Sequence, residues 1–381
     1  MMQHFLLIGG FLGAGKTTLI QKLTETLEAR GQKIGLITND QGRGLMDTDS
    51  ARFATQGTQN IAEITGGCFC CRLEELVESI AVLEKEARPD VLIAEPVGSC
   101  TDLMATVLQP LETVYETPMT LAPLAVVLDA RRILSTLGGK KNKRSFHRDV
   151  GYVFQKQIEE AECLVINKTD LLGTDDLEDL KIRLSETHPE KDHLFISAKH
   201  GEGITELIDY LLNRPSSPAE LMEVDYERYA IGEALLGWVN LEGTVRLLEG
   251  NQPEAWLGNL AQTISIRLED GGHEVGHFKM SLQSECGKTR WRTHQVLAGE
   301  AVELLQDGPA PSSGEGVYRF LVNLRAEGDA EILQTYVHEA LDSQSEAKVS
   351  LEQEAAFQPG KPEPTHRVTD RPAGQSPVTS N

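Results

Sequence analysis

From residue 3 to about residue 212, short apolar runs alternate with longer stretches in which apolar positions recur every three or four residues. The runs at 4–8, 33–38, 60–64, 91–94, 124–128, 164–166 and 194–196 read as buried strands, and the stretches between them as amphipathic helices. Strands that alternate with helices must cross over to reach their neighbours. This rhythm therefore predicts an α/β domain with a mostly parallel sheet, helices on both faces, and ligands at the carboxyl ends of the strands. At Arg214-Pro-Ser-Ser-Pro-Ala-Glu220 the periodicity stops. Beyond it the pattern predicts a smaller α+β domain, with strands at 236–248, 263–268, 275–282 and 318–323 and helices near 253–260 and 329–341. The chain divides on this reading into a nucleotide domain (1–213), a linker (214–223), an α+β domain (224–345) and a polar, proline-rich tail (346–381) expected to be disordered.

Composition narrows the setting. A chain of 381 residues that is 40% hydrophobic can bury one large or two medium cores. Its net charge of −22 argues against nucleic acid as a partner, because a phosphate backbone would be repelled. No apolar run approaches a membrane span, so a cytoplasmic location and no membrane partner are expected. In that reducing compartment the six cysteines read as thiols.

The first chemical signal lies where the first strand ends. Gly10-Phe-Leu-Gly13-Ala14-Gly15-Lys16-Thr17-Thr18 follows Phe5-Leu-Leu-Ile8 and precedes a helical stretch. Its glycines let backbone N–H groups close around phosphate at the positive end of the following helix. Lys16 is placed for the β- and γ-phosphates and Thr17 for Mg²⁺. The fold class expected is thus a P-loop NTPase domain with a smaller α+β domain behind it.

Base choice is encoded far downstream, at Asn167-Lys168-Thr169-Asp170, directly after Cys163-Leu-Val-Ile166. An Asp carboxylate at a strand end can accept hydrogen bonds from guanine N1 and N2 while the Lys stem covers the base. Adenine presents no such donor pair. Ser197-Ala198-Lys199, after the next strand, stands where a second base-contacting loop belongs. GTP is the expected nucleotide.

Gly66-Gly67-Cys68-Phe69-Cys70-Cys71-Arg72 is the second chemical signal. Three thiols on one turn, ahead of a helix N-terminus that favours thiolate, can converge on zinc, cobalt, nickel or copper(I). Small buried residues at a tight turn, or a redox sensor, are the other readings of the same cluster. Cys100, Cys163 and Cys286 stand alone in the sequence and read as ordinary core or surface thiols.

Taken in order, GFLGAGKTT, GGCFCC, Glu95-Pro-Val-Gly98, Gln157-Ile158, Asn167-Lys-Thr-Asp170 and Ser197-Ala-Lys199 resemble the CobW-like GTPases, relatives of HypB and UreG. The resemblance covers residues 3–212. It implies that Glu95 and Gly98 sense the γ-phosphate and its magnesium, and that Asp40, in Asn39-Asp40-Gln41-Gly42, stands where many relatives carry a Glu. Catalytic roles therefore fall to Lys16, Asp40 and Glu95, the carboxylates orienting the attacking water. The function expected is a GTP-hydrolysing metallochaperone that carries zinc or cobalt to a client metalloprotein or a cofactor-biosynthesis protein. A homodimer is carried as a further partner. The rivals are a regulatory GTPase with purely structural cysteines and an activation factor for a cobalamin-dependent enzyme.

His273-Glu-Val-Gly-His277 spells a metalloprotease pattern, but a zincin needs it on a helix. Here it lies between turn residues and an alternating run, so a strand is expected. There the histidines would stand roughly 13 Å apart, too far for one zinc.

Overall fold

The computed structural model describes residues 3–40, 60–138, 146–217, 221–296, 299–300, 302–309 and 316–369. Its first sheet joins β1 (Gln3–Gly10), β2 (Ile34–Asp40), β3 (Asn60–Thr65), β4 (Val91–Glu95), β5 (Met119–Leu121), β6 (Ala125–Asp129), β7 (Cys163–Asn167) and β8 (Asp192–Phe195). The order is β3-β2-β4-β1-β6-β7-β8, with β5 also on β1. Every pairing in it is parallel. β4, β6 and β7 are buried at every position, which is why they appear in the sequence as unbroken apolar runs rather than as alternation. The helices Lys16–Ala29 and Ile204–Asn213 pack on one face. On the other face lie Leu73–Glu86 and Arg148–Glu160.

The second sheet is antiparallel, in the order β12-β11-β10-β13-β9-β14. Its strands are β9 (Leu236–Leu247), β10 (Val275–Ser284), β11 (Arg290–Gln295), β12 (Glu303–Asp307), β13 (Gly316–Glu327) and β14 (Ala347–Phe357). The helices Pro253–Asp270 and Ala330–Asp342 cover one face. Leu236 and Trp238 of β9 belong to the core of the first sheet, so the two sheets share apolar packing.

Two expectations are corrected here. The strand expected at 263–268 is the second half of the helix Pro253–Asp270. Thr263-Ile-Ser-Ile-Arg-Leu268 alternates, yet Ile264 and Leu268 also continue the buried stripe of Trp256, Leu257, Leu260 and Ala261, and helix-spaced burial outweighs local alternation. The tail, expected to be disordered from residue 346, begins with β14, which pairs with β9. Most of its side chains are exposed, so backbone hydrogen bonds to an open sheet edge order it, helped by the partly buried Ala347, Val349, Ala356 and Phe357. Residues 41–59 and 370–381 lie outside the described residues.

Among the described residues no helix is long and apolar enough to cross a membrane.

Candidate functional site

The P-loop connects β1 to the helix Lys16–Ala29. Gly15, the residue ahead of this helix, has φ +94°, and a Cβ there would meet Asn167 Nδ2 at 2.5 Å. Glycine is thus required both by the backbone and by the approach of the guanine-type loop. The Lys16 ammonium donates to the carbonyls of Gly10 (2.8 Å) and Phe11 (3.3 Å), and Thr17 Oγ1 donates to Glu95 Oε1 (3.0 Å). Gly98, three residues past β4, lies so near that a Cβ would sit 3.0 Å from Lys16 Nζ. Lys16, Thr17, Glu95 and Gly98 are therefore brought to one place. Thr18 faces solvent. Asp40 closes β2, and its side chain lies outside the described residues.

The base-side loop is built around Asn167. Its amide donates to Ala14 O (2.9 Å), and its Oδ1 accepts from the N–H groups of Lys168 (2.8 Å) and Ala198 (3.0 Å). One side chain thereby joins P-loop, Asn167–Asp170 loop and Ser197–Ala198 turn. Lys168 adopts φ +65° and donates to Gly13 O (2.6 Å) and to Asp129 Oδ2 (2.8 Å). Burial alone would raise the Asp129 carboxyl, but Lys168, Arg131 and Arg132 outweigh it and hold it below the usual carboxylate range. Asp129 also caps the helix Ala130–Leu137 through the N–H groups of Arg131 and Arg132. Asp170 accepts a 2.6 Å hydrogen bond from Ser197 Oγ. Lys199 is directed elsewhere, into an ion pair with Glu303 of β12. A cavity of about 300 Å³, lined in part by Arg131, Lys168, Leu171 and His294, opens beside this loop.

Asp170→Asn is expected to lower the preference for GTP over xanthosine triphosphate by roughly 10- to 100-fold, since a carboxylate accepts from both base donors and an amide cannot. Competitive nucleotide binding measures it, and an unchanged preference would remove Asp170 from the base site.

The three cysteines of the turn converge. Cys68 Sγ lies 2.7 Å from Cys70 Sγ and 3.2 Å from Cys71 Sγ, with Cys70 and Cys71 3.8 Å apart. Among the described residues they form a group of thiols able to share one ion. Asn39, at the end of β2, holds the turn by donating to Gly67 O (2.7 Å) and Ile64 O (3.1 Å) and accepting from the Phe69 N–H (3.0 Å). The neighbouring Thr38 is in register with Glu95. Asn39, which holds the thiol turn, and Glu95, the partner of Thr17, thus sit on adjacent strands.

Cys100, which its place in the sequence left isolated, lies in the same buried core as Cys68. The thiols of Cys100, Cys70 and Cys71 all point at the Cys68 sulfur and, against the opposing effect of burial, hold it well below the usual thiol range. Their hydrogen bonds to Cys68 in turn push Cys70 and Cys100 well up, and Cys71 to about 11. Three sulfur donors on one turn suit a soft or borderline cation.

Chain from the tail crosses this cluster. The Glu363 N–H donates to Cys71 Sγ (3.3 Å) and the Thr365 N–H to Cys70 O (2.9 Å). Arg367 Nε donates to Asp102 Oδ2 (2.7 Å). The contact combines backbone N–H groups of Glu363, Thr365 and Val368 with the side chains of Thr365 and Arg367, and no local pattern in the polar tail singles it out. Glu160 is a second residue that pattern alone does not reveal. Fully buried, it accepts from Thr101 Oγ1 (3.1 Å) and the Met104 N–H (3.3 Å), bracing the loop between Gly98 and residue 104.

Burial raises the Glu160 carboxyl to about 8, with Asp102 adding to it. The folded state therefore binds this proton more tightly than the unfolded chain. Stability from this group is fully present below pH about 4.5 and is lost as pH rises to about 8. Glu160→Gln is expected to flatten that decline, by an amount on the order of a few kcal/mol. Denaturant unfolding at pH 5, 7 and 9 reads the slope, and identical slopes in the two proteins would contradict the assignment.

His273 and His277 have separate partners. His273 Nδ1 lies 2.8 Å from Glu327 O, and His277 Nε2 lies 2.6 Å from Asn323 Oδ1. His277 stands in β10 and His273 in the turn before it. They do not form a metal pair. Gly276 between them packs against Leu12 of the P-loop.

A P-loop at the first strand of a parallel sheet, an Asn-Lys-x-Asp loop in contact with it and a thiol turn three strands away define a GTPase-type P-loop domain with an attached thiol cluster. The model of the CobW/HypB/UreG nucleotide-binding domain matches residues 4–195, and the chain belongs to that family. Over 218 residues, 51% of this chain and 58% of the relative, it is 30% identical to the zinc chaperone CobW of Sinorhizobium sp.. It is also 30% identical, over 171 residues, to the zinc chaperone YeiR of Escherichia coli strain K12, covering 43% of this chain and 46% of the relative. Its match spans about half the length of these relatives. Among solved structures, HypB from Helicobacter pylori in complex with nickel is similar at 17% identity and TM-score 0.39, covering 55% of this chain and 86% of that one. The Zn(II)-bound YjiA GTPase from E. coli is similar at 13% identity and TM-score 0.34, covering 89% and 99%.

Proposed function

We propose that the protein hydrolyses GTP and uses its nucleotide state to bind and release a transition metal, zinc or cobalt, for a client metalloprotein or a cofactor-biosynthesis protein. The observation that carries this reading is Asn39. It clamps the cysteine turn from the end of β2, next to the strand that presents Glu95 to Thr17. A rearrangement at the γ-phosphate then has a short covalent and hydrogen-bonded route to the thiols.

The Thr17 hydroxyl and Glu95 carboxylate are hard oxygen donors, and they fit magnesium. When bound, magnesium would neutralise phosphate charge. Lys16 acts on the same charge from the P-loop side, after exchanging its present carbonyl partners for phosphate oxygens. Glu95 orients the water that attacks, with Asp40 as the second carboxylate in that role. Asn167, Ala198 and Asp170 hold the base, and Lys168 covers it. The three thiols receive the metal as cargo, and sulfur donors select borderline and soft ions over magnesium.

Titrating zinc or cobalt(II) into the protein loaded with a non-hydrolysable GTP analogue and with GDP tests the coupling. The two affinities are expected to differ by at least about 5-fold, and by linkage the metal must change nucleotide affinity by the same factor. Equal affinities would make the thiols a static site and sink the delivery reading.

A further inference from the structure

We propose that residues 361–368 form a latch over the cysteine turn, and that the groove they fill is the docking place for an extended, arginine-bearing segment of a partner protein. The inference rests on the thiol turn being the cargo site, and it says how a client reaches that site.

The latch runs on from β14 as extended chain with no strand or helix of its own. Pro359 and Pro362 are buried, and together with Pro364 they restrict the backbone before it is laid down, which lowers the entropy cost of ordering it. Its contacts then follow in chain order. The Glu363 N–H donates to Cys71 Sγ (3.3 Å), the Thr365 N–H to Cys70 O (2.9 Å) and the Val368 N–H to Ala105 O (3.0 Å). Cys68 and Cys70 are buried and Cys71 is half-buried, so the way from solvent to the cluster leads past Cys71. That is the sulfur the latch engages.

Arg367 holds the latch down. It donates through Nε to Asp102 Oδ2 (2.7 Å) and through a terminal nitrogen to Met222 O (2.9 Å). Asp102 is 1% exposed, and its other side-chain donor is the neutral Tyr226 hydroxyl (2.6 Å). A buried carboxylate that loses its cation is strongly destabilising, whereas a surface ion pair is worth little. Lifting the latch therefore strands Asp102 unless another cation takes the same place. The groove thus specifies its occupant. A guanidinium reaches the carboxylate and the Met222 carbonyl together through its planar fork, and an extended main chain offers N–H groups to Cys70 O and Ala105 O. The net charge of −22 favours the approach of such a basic segment.

The experiment uses the full chain without metal and follows the modification of each cysteine by iodoacetamide, resolved by mass spectrometry. Arg367→Ala is expected to speed modification of Cys71 by at least about 10-fold, with exposed Cys286 and buried Cys163 unchanged. A synthetic peptide of residues 359–369 added to this variant is expected to restore protection, and the same peptide carrying Arg367→Ala is expected not to. Modification of Cys71 at the wild-type rate in the variant would overturn the latch. Faster modification that the peptide does not slow would overturn the docking groove. If Cys163 also reacts faster, the variant has loosened as a whole. Asp102→Asn combined with Arg367→Ala then removes both charges and carries the latch test, because asparagine tolerates the φ of +66° found there. Zinc separates the proposal from the reading beneath it. In Arg367→Ala, bound zinc is expected to shield the cysteines of the turn from modification. Zinc that leaves them as reactive as before would refute the cargo site, while the metal-free rates alone judge the latch.

Discussion

Lys16→Ala is expected to lower GTP turnover by at least about 10³-fold, because the ammonium is the buried cation at the mouth of the P-loop and its charge is needed as negative charge spreads over the phosphate oxygens. Lys16 is 7% exposed and satisfied by the carbonyls of Gly10 and Phe11, so the alanine also leaves those acceptors without this donor. The fold is expected to survive, since the P-loop backbone is held independently by Asn167 on Ala14 O and Lys168 on Gly13 O. Steady-state phosphate release, alongside a thermal melt, measures both. Turnover close to wild type would place hydrolysis somewhere other than the P-loop.

The second large effect belongs to the thiols. Cys70→Ser is expected to weaken zinc or cobalt binding by on the order of 10³-fold, since a neutral hydroxyl replaces a thiolate toward a borderline ion. Cys70 is 1% exposed and Cys71 only half-buried, so the two substitutions differ in what else they disturb. Serine at 70 puts a smaller and more polar group into an apolar core beside Phe69 and Leu73, and replaces the thiol that meets the Cys68 sulfur with a hydroxyl. A competition titration against a chromophoric chelator reads the affinity. A change of less than about 3-fold would return the cluster to a structural role.

The tail gives these measurements a practical edge. Residues 363–368 reach the thiol turn and the Asp102 loop, so truncation at the end of β14 removes hydrogen bonds from Cys70 O, Cys71 Sγ and Asp102 together. Metal titrations are best made on the full chain for that reason.

Much of this molecule was legible in its residues. The inner strands β4, β6 and β7 are nearly unbroken apolar runs because parallel strands inside the sheet are covered on both faces, and such runs need no tertiary knowledge to be seen. Gly15, Lys16, Asn167 and the three cysteines of the turn carry chemistry that is local, with spacing alone bringing backbone N–H groups, or thiols, to one point. Where two periods fit the same letters, as in Thr263-Ile-Ser-Ile-Arg-Leu268, only the rest of the helix and the core it faces chose between them. Likewise the apolar positions of β14 are few and interrupted by Glu352-Gln-Glu354, since an edge strand is ordered largely by the backbone of its neighbour. Asn39 on the cysteine turn, Glu160 under the Gly98 loop and the tail over the thiols are contacts between segments 28 to 292 residues apart. The sequence by itself determined the P-loop, the Asn-Lys-x-Asp loop and the cysteine turn, because each is a property of a few consecutive residues. Only the tertiary structure decided which distant side chains meet at the P-loop and at the cysteine turn, because that depends on how the strand ends are ordered along the sheet.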